Sequence, residues 1–181
     1  MFFSENNNKA KDINSFTMQD TVKERINKLT GTPTITLRDA DGNIIDQYTN
    51  HNLIVEIGRA QIIKFLKGDV SAGITKCSVG TNGVDSNNAF SPISPKDSDT
   101  ALYAEVTSAR KNIDTVTYNE ASSATQITFT TLFTSANVNA IVSEAGLFFT
   151  DGKLFARYTF PSMYLKNDKG YSLEISWVVQ F

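Results

Sequence analysis

The stretch of residues 141–160 constrains the fold most, because two apolar runs flank the sequence Thr-Asp-Gly-Lys at its centre. An Asp-Gly pair between strand-forming runs predicts a β-hairpin with a type I′ turn, whose two central residues have positive φ angles. Both runs are too apolar for strands that have one face in solvent. We therefore expect a hairpin that other layers cover on both faces.

Two charged residues, Glu144 and Arg157, lie within these apolar runs. A charged side chain in a covered strand must be paired or must reach the surface of a partner. The pattern favours an ion pair at the rim of a structural sheet, since exposed pairs are common and stabilise little. Contact with a partner is the alternative.

Composition narrows the classes of function. The 181 residues carry a net charge of −2, which gives no general electrostatic footprint for nucleic acid. Cys77 and His51 are the single residues of their type, so we expect neither an intrachain disulfide nor a Cys/His metal cluster. No apolar run reaches the roughly 20 residues of a membrane span, and the N-terminal residues lack the order of a secretion signal. The expectation is a protein made in the cytoplasm that has no cofactor.

Residues 1–30 are predicted to be a docking appendage. The first sixteen are rich in Asn and Lys and carry isolated aromatic side chains, Phe2, Phe3 and Phe16, which cannot form a core alone. A disordered terminus and an arm that docks on neighbours are both open interpretations. Residues 17–29 predict a short helix with Val22 and Ile26 on its apolar stripe, which must pack on the domain or on another subunit.

Residues 31–181 are predicted to form one domain. About eight strands separated by turns, without βαβ alternation, favour a mainly β fold, an antiparallel β-sandwich with one packed α-helix. Residues 171–181 alternate most cleanly and predict a half-buried strand that places Trp177 in the core. The other predicted strands are the two arms of the central hairpin and residues 34–38, 44–50, 74–79, 102–107, 113–118 and 127–133.

The helix is predicted at residues 53–67. Gly68 is expected to cap its C-terminal end, and Gly58 within it is expected to mark a close approach to a sheet. The predicted apolar stripe comprises Ile54, Ile57, Ile62, Phe65 and Leu66, and the predicted outward face comprises Glu56, Arg59, Gln61 and Lys64.

Three polar segments are predicted to be loops or turns. Residues 80–100 are predicted to form a loop of a length that is often used for binding. Asp97 and Asp99 within it are candidate cation ligands, but a role in shaping the start of the next strand is favoured, because no third acidic residue lies close by. Residues 39–43 predict a hairpin turn and not a calcium loop, since the later ligand positions are missing. Residues 161–170 are predicted to form the third loop.

A set of spaced motifs resembles a known family. The motifs are Gly80-Thr81-Asn82-Gly83, Leu102-Tyr103-Ala104-Glu105 with Arg110, Ser143-Glu144-Ala145-Gly146-Leu147-Phe148, Asp151-Gly152-Lys153-Leu154-Phe155-Ala156, and Tyr164-Leu165-Lys166. In this order they resemble the attachment domain of tail-collar fibre proteins in tailed bacteriophages and related contractile injection particles. The resemblance covers roughly residues 53–181.

The resemblance implies a virion structural protein that docks on a collar, neck or baseplate. It implies no catalytic residues, and it makes Glu105, Arg110 and Glu144 folding or assembly residues. The expected partners are other virion proteins and further copies of this chain. Fibre proteins of this type continue into a long shaft, whereas here the sequence stops at the last predicted strand, so we expect an adaptor, a collar subunit or a head-decoration subunit.

The sequence leaves two other functions open. A carbohydrate-binding module that recognises a host surface would use the loop of residues 80–100. An enzyme would require a pair of carboxylates such as Glu105 and Glu144 at a separation suited to glycoside hydrolysis. The sequence contains no nucleophile motif and no phosphate-binding loop, which disfavours the enzyme.

Overall fold

A computed structural model describes residues 29–70, 73–121, 124–165 and 169–180. These residues form two five-stranded antiparallel sheets, one small hairpin and one helix, and side chains from both sheets share one core. The predicted antiparallel β-sandwich with one packed helix is thereby confirmed. None of the described helices has the length and apolar character that a membrane crossing requires.

The first sheet is built from strands at the start, middle and end of the domain. In spatial order it contains Ile44–Thr49 (β2), Thr30–Arg38 (β1), Ser172–Gln180 (β12), Ala124–Thr134 (β9) and Thr115–Ala121 (β8).

The second sheet contains the central hairpin. In spatial order it consists of Leu53–Ile54 (β3), Leu154–Leu165 (β11), Ala140–Phe149 (β10), Ile74–Gly80 (β4) and Lys111–Asn112 (β7). The small hairpin is formed by Val84–Asp85 (β5) and Asn88–Pro92 (β6), and the helix is Glu56–Lys67 (α1).

Strand β12 lies at the centre of the first sheet, as its alternation predicts. Leu173, Ile175, Trp177 and Val179 are buried, and Trp177 is fully buried. Burial of each such side chain contributes roughly 1.5–3 kcal/mol to stability. The predicted last residue of this face, Phe181, lies outside the described residues.

Strand β1 begins earlier than predicted, at Thr30, and contains Pro33. Proline cannot donate a backbone hydrogen bond, so it is tolerated only where one side of a strand has no partner. Pro33 lies opposite Trp177 of β12, whereas pairing with β2 begins at Thr34. The side of the strand away from β12 is therefore unpaired at Pro33, which explains how the strand extends through it.

The central hairpin forms as predicted, but with a different turn. The amide of Phe149 donates to the carbonyl of Lys153 and that of Gly152 donates to the carbonyl of Phe149. Gly152 has a φ of 86°, and among the described non-glycine residues none has a positive φ, so Asp151 does not adopt the angle that a type I′ turn requires. The turn is a three-residue loop that places glycine at its left-handed position. The predicted type I′ turn is therefore wrong, whereas the covering of both strands is confirmed.

Helix α1 ends at Gly68, whose φ of 84° is that of a left-handed cap, as predicted. Gly58 lies against the second sheet, where an added Cβ would be 2.2 Å from the carbonyl oxygen of Phe155. The predicted orientation of the helix is wrong in part. Gln61 is buried and donates to Asp151, while Leu66 is 75% exposed. Phe65 is exposed as well. The close approach at Gly58 sets the rotation of the helix and turns Gln61 inward.

Two further element predictions are wrong. Residues 102–107 form turns in place of a strand, apart from one bridge between Glu105 and Gly80. Residues 161–165 continue β11, and Pro161 lies where the register with β10 shifts, a position that tolerates proline. The arm and helix predicted at residues 1–28 lie outside the described residues, whereas Leu29 packs against the core.

Candidate functional site

The site is a buried ionic network centred on Arg157, which lies on β11 and is fully buried. Its Nε and Nη2 donate to Oε2 of Glu144 at 2.9 and 2.7 Å, and its Nη1 donates to Oδ2 of Asp99 at 2.7 Å. Burial alone lowers the pKa of Arg157, but the hydrogen bonds with Asp99 and Glu144 outweigh it and raise this pKa above its ordinary value. The guanidinium therefore remains charged inside the protein.

Glu144, on the neighbouring strand β10, is also fully buried. Besides the two bonds from Arg157, its carboxylate accepts the backbone amides of Tyr103 at 3.0 Å and Ala104 at 2.8 Å. These amides belong to the segment that was predicted to be a strand. Because these amides donate hydrogen bonds to Glu144, the segment is held as a turn over the end of the network.

Tyr103 closes the network on one side. The carbon at the centre of the Arg157 guanidinium lies 3.5 Å from the centroid of the Tyr103 ring, and Tyr103 is 39% exposed. A cation held over an aromatic face is stabilised by about 0.5–2 kcal/mol. The ring therefore shields a buried charge from solvent and still presents its outer side at the surface.

Asp99 is the second carboxyl group that Arg157 binds. Its side chain is 7% exposed and also accepts the amide of Lys96 at 2.9 Å. Asp99 was predicted to shape the entry into a following strand, but residues 102–107 form turns, and Asp99 instead binds the preceding Lys96 amide and Arg157 of β11. Asp97 forms an exposed pair with Arg59. Among the residues that the structure describes, no group of three or more His, Cys, Asp or Glu side chains is placed to hold a metal ion.

Two glycines allow the loop after β4 to pack against the network. An added Cβ at Gly80 would be 2.5 Å from Oε1 of Glu144, and one at Gly83 would be 2.1 Å from the carbonyl oxygen of Ser143. The amide of Gly83 donates to the Ser143 hydroxyl at 2.8 Å. Only glycine permits so close an approach.

The pair of Glu105 and Arg110 lies beside the network. Nε and Nη2 of Arg110 donate to the two carboxylate oxygens of Glu105 at 2.7 and 2.6 Å, which is a bidentate geometry. Their side chains are 24% and 29% exposed. The Arg110 guanidinium also lies 3.8 Å from the centroid of the Phe148 ring and contacts the carbonyl of Gly152. The pair thus ties the turn after Ala104 to the central hairpin.

The structure corrects one prediction for these residues and leaves others untested. Glu144 and Arg157 are paired, but not at a rim, because both are fully buried and the hairpin that carries them lies in the interior. The sequence prediction missed the roles of Asp99 and Tyr103 as partners of Arg157. The other predicted assembly residues, Phe2, Phe3, Phe16, Val22 and Ile26, lie outside the described residues.

Comparison of the chain with protein-family models finds no matching family, and no curated protein and no solved structure matches it.

Proposed function

We propose that the chain is a non-enzymatic structural subunit of a tailed bacteriophage particle, placed at a collar, neck, baseplate or fibre attachment point. The observation that supports this most is the convergence of the motifs. Gly80, Gly83, Glu105, Glu144 and Gly152 come from four separate motifs that resemble the tail-collar family, and all contact the network or the adjoining pair. Their spacing along the chain thus corresponds to one local architecture.

The state of the carboxylates supports a role that does not involve catalysis. Glu144 accepts two bonds from Arg157 and two from backbone amides, and both oxygens of Glu105 are bound by Arg110. A glycosidase needs one carboxyl group that can carry a proton and a second that faces substrate. Carboxylates that are held by guanidinium groups serve better to join loops rigidly to a sheet.

In this proposal the sandwich is a rigid body, and residues 1–30 make additional binding contacts with neighbouring virion proteins. Leu29 packs against the core, so the segment that precedes it is tethered to the sandwich at a defined point. A tether raises the effective concentration of a second contact, and several weak contacts then sum to firm attachment. The protein would reside in the virion, with other structural proteins and further copies of itself as partners.

The test is incorporation into particles. A variant that lacks residues 1–28 retains Leu29 and should unfold in urea at nearly the wild-type midpoint, yet be missing from purified particles. A sharper variant replaces Phe2, Phe3 and Phe16 with alanine. Its matched control, which replaces Asn6, Asn7 and Asn8 with serine, should incorporate normally. Normal incorporation of the deletion variant would refute docking by the arm, and absence of the wild-type chain from particles would refute the structural role.

Recognition of a surface carbohydrate is a second candidate, and one observation favours it. Phe90 is 76% exposed on the loop predicted for binding, and Pro92 and Pro95 of that loop line a cleft of about 310 Å³ together with Tyr48 and Tyr158. Aromatic rings and a cleft are features of sugar sites. A glycan array probed with wild-type protein and with Phe90→Ala tests this candidate, and a wild-type array without signal would reject it. A head-decoration protein is another form of the structural role. Immunolabelling of particles would show whether the chain lies on the head or on the tail.

A further inference from the structure

A groove of about 460 Å³ lies beside the first residue that the structure describes. Its lining includes Leu29, Gly31, Leu53 and Ile54. Ile54 belongs to the core of the sandwich, and Leu29 packs against that core. The groove is therefore an apolar surface continuous with the core, and its volume falls within the range of roughly 300–1,000 Å³ that is usual for pockets that enclose a bound group.

One polar side chain of this groove lacks a partner. Asn52 also lines the groove, and within the described part of the chain neither Nδ2 nor Oδ1 of its buried amide group has a hydrogen bond. A buried amide without partners is unfavourable, and such groups in folded proteins are usually satisfied. The amide lies against Gly31, where an added Cβ would be 1.9 Å from Oδ1 of Asn52. A partner for Asn52 is therefore expected from chain that lies close to Gly31.

We propose that residues 17–28 of the same chain dock in this groove. The sequence predicts a helix there whose apolar stripe comprises Met18, Val22 and Ile26, and Leu29 is the next position of the same stripe. Leu29 lines the groove and packs against the core. A helix that runs back from Leu29 directs the rest of its stripe to the same side, because side chains three and four positions apart share one face.

The same placement supplies a hydrogen-bond partner for Asn52. The last four carbonyl groups of a helix have no partner inside the helix. In a helix that ends near Lys28, these carbonyl groups lie only a few residues before Gly31, against which the Asn52 amide is held. Nδ2 of Asn52 can then donate to one of them, so the docked helix satisfies a polar group as well as burying an apolar face.

The position of the segment favours its own groove over the groove of a second copy. Lys28 adjoins Leu29, which lines the groove, so no linker has to be ordered before the segment reaches it. A direct link of this kind gives the segment a high effective concentration at its own groove. The isolated helix is marginal at this length, so it should detach at a lower urea concentration than the one that unfolds the sandwich. Deletion of the segment thus leaves the midpoint of the sandwich nearly unchanged.

Docking of residues 17–28 divides the N-terminal appendage into two parts. The docked helix fixes the point at which the first sixteen residues leave the sandwich, and those residues remain available to neighbouring proteins. This use of the first sixteen residues rests on the proposed function. The docking itself does not, because an isolated chain would show it, so the two can fail separately.

Thiol labelling of the full-length chain tests the docking. Val22→Cys places a thiol on the apolar stripe, and Glu24→Cys places one on the opposite face, since residues two apart on a helix are separated by about 200°. Cys77 does not interfere, because it is fully buried and burial raises the pKa of its thiol to about 12. We expect Val22→Cys to be labelled about tenfold more slowly than Glu24→Cys, or slower still. Equal labelling rates would overturn the proposal.

A change in the groove tests where the segment docks. Leu53→Lys, added to Val22→Cys, should raise the labelling rate towards that of Glu24→Cys, because it places a charge against the apolar stripe. The matched control is Ile44→Lys, at a residue that is 54% exposed on β2, and it should leave the slow rate unchanged. Continued protection of the Cys77 thiol reports that the sandwich is folded. Slow labelling that Leu53→Lys does not accelerate would overturn the proposal, as would slow labelling that is lost on dilution, which would place the segment on a second copy.

Discussion

The guanidinium of Arg157 donates two hydrogen bonds to one oxygen of Glu144, and both side chains are fully buried on adjacent strands of the second sheet. Such a pair joins β10 to β11 by charge as well as by the backbone ladder. Through its remaining bonds it also fixes Asp99 and the turn at Tyr103. The network therefore determines the conformation of two loops that have little regular structure of their own.

Removal of the buried cation at Arg157 should strongly lower the free energy of unfolding. Arg157→Met leaves Glu144 and Asp99 buried without their partner, and loss of one member of a buried pair costs about 3–5 kcal/mol. The matched control is Lys67→Met, which breaks an exposed pair with Asp69 and should change the free energy of unfolding by less than about 1 kcal/mol. Urea denaturation measures both. Similar values for the two variants would show that the network does not stabilise the fold.

The pair of Glu105 and Arg110 should show intermediate coupling, since it is bidentate but partly exposed. A double-mutant cycle with Glu105→Gln, Arg110→Met and the double variant isolates the interaction from other contacts of each side chain. We expect a coupling free energy of about 1–2 kcal/mol. A value near zero would assign the pair to the weak surface class.

The same pair predicts a pH dependence. Burial raises the pKa of Glu105, but hydrogen bonding and attraction to Arg110 outweigh it, and the pKa lies below its ordinary value of 4.5. A depressed pKa in the folded state means that stabilisation is fully present above 4.5 and is lost as the pH falls through the folded-state pKa. The stability difference between wild type and Glu105→Gln should therefore shrink as the pH falls below 4.5. A difference that stays constant or grows in acid would contradict the assignment.

Replacement of Gly58 by alanine should lower stability, which is the opposite of the usual effect in a helix. An exposed glycine in a helix is usually improved by alanine, by about 1 kcal/mol. Here the new Cβ would meet the backbone of Phe155, so Gly58→Ala should destabilise by about 1–3 kcal/mol through overpacking. Gly73→Ala is the control, because nothing lies within 4 Å of a Cβ there. Thermal unfolding of both variants measures the effect, and a stabilised Gly58→Ala would mean that α1 does not lie so close to the sheet.

The sequence was sufficient to predict those elements whose pattern is local. The alternation from Leu173 to Val179 places each side chain on the correct face, and the Asp-Gly pair marks the central hairpin. The turn type was not predictable, because it depends on how the strands are paired on either side of Gly152. The prediction of which face of α1 is buried was wrong in part for a similar reason, since the sheet surface at Phe155 determines that face.

Only part of the buried ionic network around Arg157 could be predicted from the sequence. An arginine and a glutamate within apolar runs signal that each needs a partner, but the pattern does not show that the pair is fully buried. Asp99 lies 58 residues from Arg157 along the chain, and no spacing indicates such a contact. Residues 102–107 have the composition of a strand, yet a carboxylate from a distant strand binds their amides. Contacts between loops and side chains that are remote in sequence require the fold itself.

The central claim, that this chain is a building block of a tailed particle, is tested most directly by quantitative mass spectrometry of particles purified from the organism that carries its gene. A structural subunit is expected to sediment with the particles and to be present at a fixed copy number relative to the major tail protein. Recovery of the chain only in the soluble fraction, with none in the particles, would contradict it.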